Sequence, residues 1–335
     1  MHVPHREWVG LDTRSGPFDA DDMTLTSDFF DDPLAFAKAN SICPPNNIDG
    51  YKGKLAKTLD TSGYKGIGPD PEHAVGSIKY ARVMRSKKVG YIELFNDVRP
   101  GGARVEDRND EGAGVIRLRS AFGTFGEARP VYFLPWDESG AIVKLRIPAK
   151  GTNNPDPDVF FTAAINGCSV FVQGTAASPT VYHAGGYTGR SDHNDAARFW
   201  RHALVNHVKA SRTAQGRGKV QGEINKTDYV KTPGTVGNST TPTADLYERE
   251  LKSRLDKKGS FTVTMVNPWG CVFGVRTGTD WEFYLQENGT VVCNYVTKTS
   301  VRTVSYARPM QLTKIFPGGQ SRIASMRLLV PVKVT

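Results

Sequence analysis

The sequence predicts an α+β fold, a mixed or antiparallel β-sandwich core flanked by helices. Gly and Pro are plentiful, 34 and 20 in 335 residues, alongside many Val and Thr, which favours strands and turns over a helical bundle. Short apolar runs succeed one another with Gly, Pro, Asn or Asp between them, the punctuation of a sheet system. Helical periodicity is confined to a few stretches.

Residues 1–75 differ from the rest and read as an N-terminal extension with little core of its own. Asp19, Asp21, Asp22, Asp28, Asp31 and Asp32 make its start acidic. Asp32 to Ala39 suits one short helix, with Asp32 as N-cap and Pro33 in the first position. Pro44-Pro45-Asn46-Asn47 and a Gly/Lys-rich stretch to Pro71 follow. Residues 76–335 then read as the main domain. Its expected strands are Lys88 to Phe95, Gly114 to Arg119, Val131 to Leu134, Ala141 to Ile147, Val159 to Ala164, Ser169 to Val172 and Thr180 to His183. Ala196 to Val208 is an amphipathic helix with Phe199, Ala203, Leu204 and Val208 on one face. The polar stretch at 211–243 reads as a long surface loop, and Ala244 to Leu255 as a second helix. Strands return at Phe261 to Val266, Val272 to Val275, Trp281 to Leu285, Val291 to Val296, Val301 to Tyr306 and Met326 to Val334.

Composition narrows the function. The net charge of +9 favours an acidic partner without choosing among them. No zinc-finger spacing, RNA-recognition strand motif or basic helix is present, so direct nucleic-acid binding is not expected. The four cysteines, Cys43, Cys168, Cys271 and Cys293, form no C-x-x-C pair, which argues against zinc and dithiol chemistry. No apolar stretch approaches the ~20 residues of a membrane-spanning helix. Met1 to Glu7 lacks the apolar core of a secretory signal, so export would use another route. His202 and His207, five apart, do not share a helical face, and no metal or cofactor is expected. Cys271 reads as a buried strand thiol, Trp136 and Trp200 as core anchors.

The segment that carries chemistry runs from Phe160 to Val172, with Val181-Tyr182-His183 after it. Taken alone, Cys168 suits a core position, since unpaired cysteine is among the most buried residue types. Its context adds a second reading. Asn166-Gly167 favours a tight turn, which places the thiol at a strand start where backbone N–H groups can face an oxyanion. If the two flanking runs form a hairpin, Cys168 and His183, 15 residues apart, lie near the same open end. A thiol becomes a strong nucleophile as the thiolate, and a neighbouring imidazole can take its proton.

These residues resemble the active-site motif of the Cys-His glutamine deamidase superfamily, which includes the cytotoxic necrotizing factors, the chemoreceptor deamidase and the Burkholderia lethal factor. Its pattern has a Thr six residues before a Cys that follows Gly, with a His on the next strand; here Thr162, Gly167, Cys168 and His183 fill it. The match is closest to the lethal factor. Leu134-Pro135-Trp136, Phe160-Phe161-Thr162 and Phe199-Trp200-Arg201 are similar to segments of that family, as is Gly126 to Pro130. Where the family more often has Ser-Gly-Cys, this chain has Asn166-Gly167-Cys168. The likeness spans residues 90 to 210.

The resemblance implies a toxin- or effector-like protein glutamine deamidase with Cys168 as nucleophile, His183 as base and Thr162 holding the imidazole. Asn166 and Gly167 would shape the oxyanion turn. It implies a protein substrate, a small GTPase or an RNA-helicase translation factor being among the targets of relatives. It also implies a monomer needing no cofactor, made in a bacterial cytoplasm and acting in that of a target cell. A cysteine protease, a transglutaminase or a catalytically idle binding module on this fold are the alternatives.

Overall fold

In the computed structural model, the described residues are 20–48, 53–60, 80–86, 89–97, 115–120, 128–137, 141–185, 199–204, 220–229, 260–296 and 301–325. They form two mixed sheets with few helices, a β-rich α+β arrangement. The expected helix at 244–255 and strand at 326–334 lie outside the described residues, as do Val208 and His207.

The chain begins with α1 (Ala20–Asp31) and α2 (Pro33–Ala39), the latter capped by Asp32 Oδ1, which accepts from Ala35 N–H at 2.9 Å. Strands β1 (Ser41–Cys43), β2 (Lys54–Asp60), β3 (Tyr80–Ser86), β4 (Val89–Asp97), β5 (Val115–Ser120), β6 (Arg129–Leu134) and β7 (Ala141–Arg146) follow. Next come β8 (Val159–Thr162), β9 (Ser169–Thr175), β10 (Ser178–Ala184) and β11 (Val220–Ile224), then helix α3 (Lys226–Tyr229). The last third is β12 (Ser260–Thr277), β13 (Asp280–Val296), β14 (Val301–Phe316) and β15 (Ser321–Ser325). Nine strands pair in the order β1-β5-β4-β6-β8-β12-β13-β14-β15, and six in the order β11-β9-β10-β7-β3-β2. Each sheet mixes pairings: β1 with β5, β6 with β8 and β3 with β7 are parallel.

Side-chain alternation decides which residues meet. On β8, Phe160 joins the main core cluster and Phe161 a second one. On β9, Val170 and Val172 enter the main core, with Phe283 and Leu285 of β13, while Phe171 points the other way. That outer side of the six-stranded sheet is covered by the helical residues 199–204: Phe199, Trp200, Ala203 and Leu204 pack on Val83, Ile142, Tyr182 and Ala184. Arg201, on the same turn, pairs instead with Glu223 of β11, its Nε donating at 2.9 Å. The Phe-Trp-Arg motif is thus two core anchors followed by a clamp. Trp136 is half-buried and packs against the main core.

Three expectations need correction. Residues 20–48 are not an extension apart from the core. Phe29, Phe36, Ala37, Ile42 and Ile48 cover the outer side of the nine-stranded sheet, against Phe133, Phe161 and Phe273. The segment is acidic and Pro-rich, yet these five apolar side chains share one side. The stretch at 211–243 is not loop throughout: its described part, 220–229, is β11 and α3. Its strand is an edge strand with Gly222 at a bulge, which a search for alternating apolar residues misses. Third, Phe261 to Val266 and Val272 to Val275 are one strand, β12, because Pro268 and Gly270 remain in register with β13.

One buried amide helps tie the N-terminal segment to the sheet, beside the β1–β5 pairing and the Leu94 N–H to Thr26 Oγ1 bond. Gln286 on β13 is fully buried. Its Oε1 accepts from Ile42 N–H at 2.9 Å and from Asn288 Nδ2 at 3.0 Å. Its Nε2 donates to Ala37 O and Asn40 O, both at 2.6 Å. All four hydrogen-bonding positions of the side chain are used. Gln286→Leu strands those groups in a dry interior, at about 1–3 kcal/mol for each unsatisfied group, so we expect a loss of roughly 3 kcal/mol or more in urea unfolding. A loss under about 1 kcal/mol would mean that water replaces the amide and the segment is not docked as described.

Candidate active site

The chain crosses from one sheet to the other between Thr162 and Ser169. After β8, Ile165 forms an isolated antiparallel bridge with Gly270 of β12, N–H to O at 2.8 and 2.9 Å. The bridge requires Gly270, since a Cβ there would lie 2.8 Å from Ile165 Cγ1. Asn166, exposed, and Gly167 then turn the chain, Gly167 with φ of 107°, a value only glycine holds without strain. Cys168 follows and β9 begins. The expected hairpin is present and tighter than its apolar runs suggested: β9 and β10 pair from Ser169↔Ala184 to Thr175↔Ser178, with Ala176-Ala177 as the loop.

This register puts the candidate residues together. His183 pairs with Val170, so Cys168, two residues earlier, is its diagonal neighbour on the same side of the sheet. Diagonal neighbours stand about 7–8 Å apart, within reach for long side chains. Cys168 belongs to the core between the sheets and is 8% exposed; His183 is 1% exposed and Thr162 fully buried. Thr162 comes from the other sheet, and its Oγ1 lies 2.7 Å from His183 Nδ1.

The hydroxyl network sets the tautomer. Thr162 Oγ1 lies 3.1 Å from Leu134 O, a group that can only accept, so the single hydroxyl proton goes there. Oγ1 must then accept at its other contact, which puts the ring proton on Nδ1 and the lone pair on Nε2. Among the described residues, His183 Nε2 is buried and makes no hydrogen bond, to Cys168 or to any other group. The imidazole is oriented, with its lone pair unspent. Burial alone pushes the imidazole down to about 3. Leu134, the first residue of Leu-Pro-Trp, therefore supplies the carbonyl that orders the Thr162 hydroxyl, and it also accepts from Ala163 N–H at 3.0 Å. Trp200 Nε1 donates to Gly185 O at 2.6 Å and secures the end of β10 beside His183.

Tyr229 is the site residue that sequence reading missed. It is buried on α3, and its hydroxyl accepts from Gly167 N–H at 2.7 Å and donates to Cys168 O at 2.9 Å. The Gly167 N–H is thus committed to Tyr229, and Gly167 shapes the turn. Nothing in the sequence signals this, since Tyr229 lies 61 residues beyond Cys168 in a polar stretch. Cys271 lies on β12, fully buried, and burial pushes its thiol well up. Cys43, Cys168 and Cys271 are outside any disulfide.

No protein-family model matches this chain, and no curated protein matches it. Among solved structures, the C-terminal domain of CNFy from Yersinia pseudotuberculosis is similar, with a TM-score of 0.34 and 8% identity over 87% of this chain and 98% of that one. A likeness of that size carries no argument about activity. No helix among the described residues is long and apolar enough to cross a membrane.

The buried imidazole makes stability depend on pH. Its folded value, about 3, lies below the unfolded value near 6.5, so the unfolded chain binds the extra proton as pH falls. The stability from His183 is present above pH ~6.5 and is lost progressively toward pH ~3. Between pH 7 and pH 5 that amounts to about 2 kcal/mol. Urea unfolding at the two pH values, compared with His183→Met, isolates it: the variant is expected to lack this component of the slope. Equal slopes in both proteins would show that His183 is solvated.

Proposed function

We propose that this protein is a glutamine deamidase of the toxin or effector type, acting on a protein substrate. The observation that carries the reading is the Thr162–His183 pair: a buried imidazole, held as its Nδ1–H tautomer, with an unpartnered Nε2 on the same side of the sheet as Cys168. A purely structural histidine gains by satisfying both nitrogens. The Thr-x5-Cys spacing and the Leu-Pro-Trp and Phe-Trp-Arg segments, which resemble those of the Cys-His deamidases, supply the reaction class.

The chemistry follows from the residues. His183 Nε2 takes the Cys168 thiol proton, and Sγ attacks the carboxamide carbon of a substrate glutamine. The tetrahedral oxyanion faces the Cys168 N–H. Its collapse breaks the C–N bond, and the proton on Nε2 passes to the leaving nitrogen, which departs as ammonia. Water, giving a proton to Nε2, attacks the thioester carbon; glutamate leaves and the thiol is restored. Burial makes a lone imidazolium costly, so the proton is held only while the thiolate or the leaving group balances it. Thr162 keeps the ring from turning through the cycle. The product side chain carries a new negative charge and has lost two donors, enough to bias a protein switch.

Intact-mass measurement on candidate substrates tests the reaction. We expect a gain of about one dalton, with ammonia released and the chain uncut, and none with Cys168→Ala, since loss of a nucleophile removes several orders of magnitude of rate. A cleaved chain would assign the site to a protease, and a cross-linked amine to a transglutaminase. Toxicity of Cys168→Ala equal to wild type would end the proposal.

Thr162→Val keeps the side chain's shape and removes the acceptor for Nδ1–H. It is expected to lower turnover by roughly a hundredfold, with Thr162→Ser retaining most of it. Equal losses in both variants would point to packing instead.

A further inference from the structure

The turn that carries Cys168 is held by a segment 61 residues away in the chain. Strand β11 adds to the edge of β9, from Val220↔Gln173 to Ile224↔Val170, and α3 follows at once. Asp228 Oδ2 accepts from Asn225 N–H at 2.7 Å, which sets the start of α3, and Asn225 Nδ2 donates to Glu223 Oε1 at 2.7 Å. Glu223 is the residue that Arg201 clamps. Tyr229 packs in the core between the sheets, and its one hydroxyl brackets the nucleophile's turn: it accepts from the residue before Cys168 and donates to the carbonyl of Cys168 itself. Lys226 is one helical turn earlier on the same side of α3. Burial pushes the Lys226 amine down and the Tyr229 hydroxyl well up; the charge of Cys168 acts on both, opposing burial at Lys226, so both lie within electrostatic reach of the sulfur. Among the described residues, the other titratable groups around them are His183 on β10, Asp228, whose charge acts on Tyr229, and Glu223, which Asn225 joins to the start of α3.

We propose that Tyr229 and Lys226 are the positioning residues of the Cys168 nucleophile, Tyr229 aiming the sulfur by holding its turn from both sides and Lys226 placing a cation that favours the thiolate. A rigid turn matters because the thiol stands at the mouth of the crossing, where Gly167 alone would let the chain hinge. A cation beside a cysteine lowers the cost of its thiolate in a site where His183 resists becoming the counter-ion. Gly167 N–H, taken by Tyr229, is thereby a structural donor. This inference rests on reading Cys168 as the nucleophile, and not on the identity of the bond it attacks.

The rate of Cys168 alkylation by iodoacetamide, followed by peptide mass spectrometry on the full chain from about pH 6 to about pH 10, tests it. Lys226→Met is expected to raise the midpoint of the profile by about half to one unit, a roughly three- to tenfold slower reaction at pH 7. Tyr229→Phe, which keeps the ring and removes both hydrogen bonds, is expected to slow the plateau rate roughly tenfold while near-UV circular dichroism is retained. An unchanged midpoint in Lys226→Met overturns the role of the cation. A plateau in Tyr229→Phe that is unchanged or faster overturns the role of the tyrosine, since Tyr229 would then shield the sulfur. If Tyr229→Phe fails to fold, Tyr229→His, which restores a ring hydrogen-bonding group, decides the same point. Deamidase activity is scored separately: shifted profiles with no conversion of glutamine would keep this inference and discard the reaction.

Discussion

Between Thr162 and Ser169 the chain leaves one sheet and enters the other, and the site obeys that crossing. A crossing through a dry core exposes main-chain groups that no ladder satisfies. From Ile165 to Cys168 they are satisfied in three ways. Ile165 borrows Gly270 of β12 for both of its hydrogen bonds. Gly167 gives its N–H to Tyr229, and the Cys168 carbonyl accepts from the same hydroxyl. Each solution depends on one side chain or on one missing Cβ, which leaves little freedom in where Cys168 is presented.

The buried polar groups divide into two kinds. Gln286 and Tyr229 spend their capacity on main-chain groups, and the result is docking: an N-terminal segment onto β13, and α3 onto the cysteine turn. His183 spends one nitrogen only. A histidine whose fixed side is bonded and whose other side is bare costs stability, and burial makes that cost grow as pH falls. The Thr162–His183 bond also joins the two sheets, because Thr162 stands on β8 and His183 on β10. The packing of the two sheets and the orientation of the imidazole are therefore one feature: a shift of one sheet against the other would break both.

The strands flanking the site were legible because both faces of β8, β9 and β10 are buried, so each reads as an apolar run bounded by turn residues. Asn166-Gly167 announced the turn, and Ala176-Ala177 did not, so the hairpin loop was drawn too long. The helix around Phe199 was legible from its spacing, and its described residues give each member of Phe-Trp-Arg a separate task. The N-terminal segment was misjudged because its apolar residues are too few to look like a core. Phe29 and Phe36 succeed only by covering a surface that Phe161 and Phe273 provide.

By itself the sequence determined the β-rich class, the position of the turn before Cys168, and the spacing of Thr162, Cys168 and His183. These are local properties, set by apolar alternation, by glycine's access to positive φ and by neighbours within about twenty residues along the chain. Only the tertiary structure decided which nitrogen of His183 carries the proton, since that follows from Leu134 O standing beside Thr162. It alone brought Tyr229 to the turn of Cys168 and committed the Gly167 N–H to it. Hydrogen-bond partners drawn from distant strands leave no periodicity in a single chain, and so the parts of the site that depend on them become visible only once the sheets are packed.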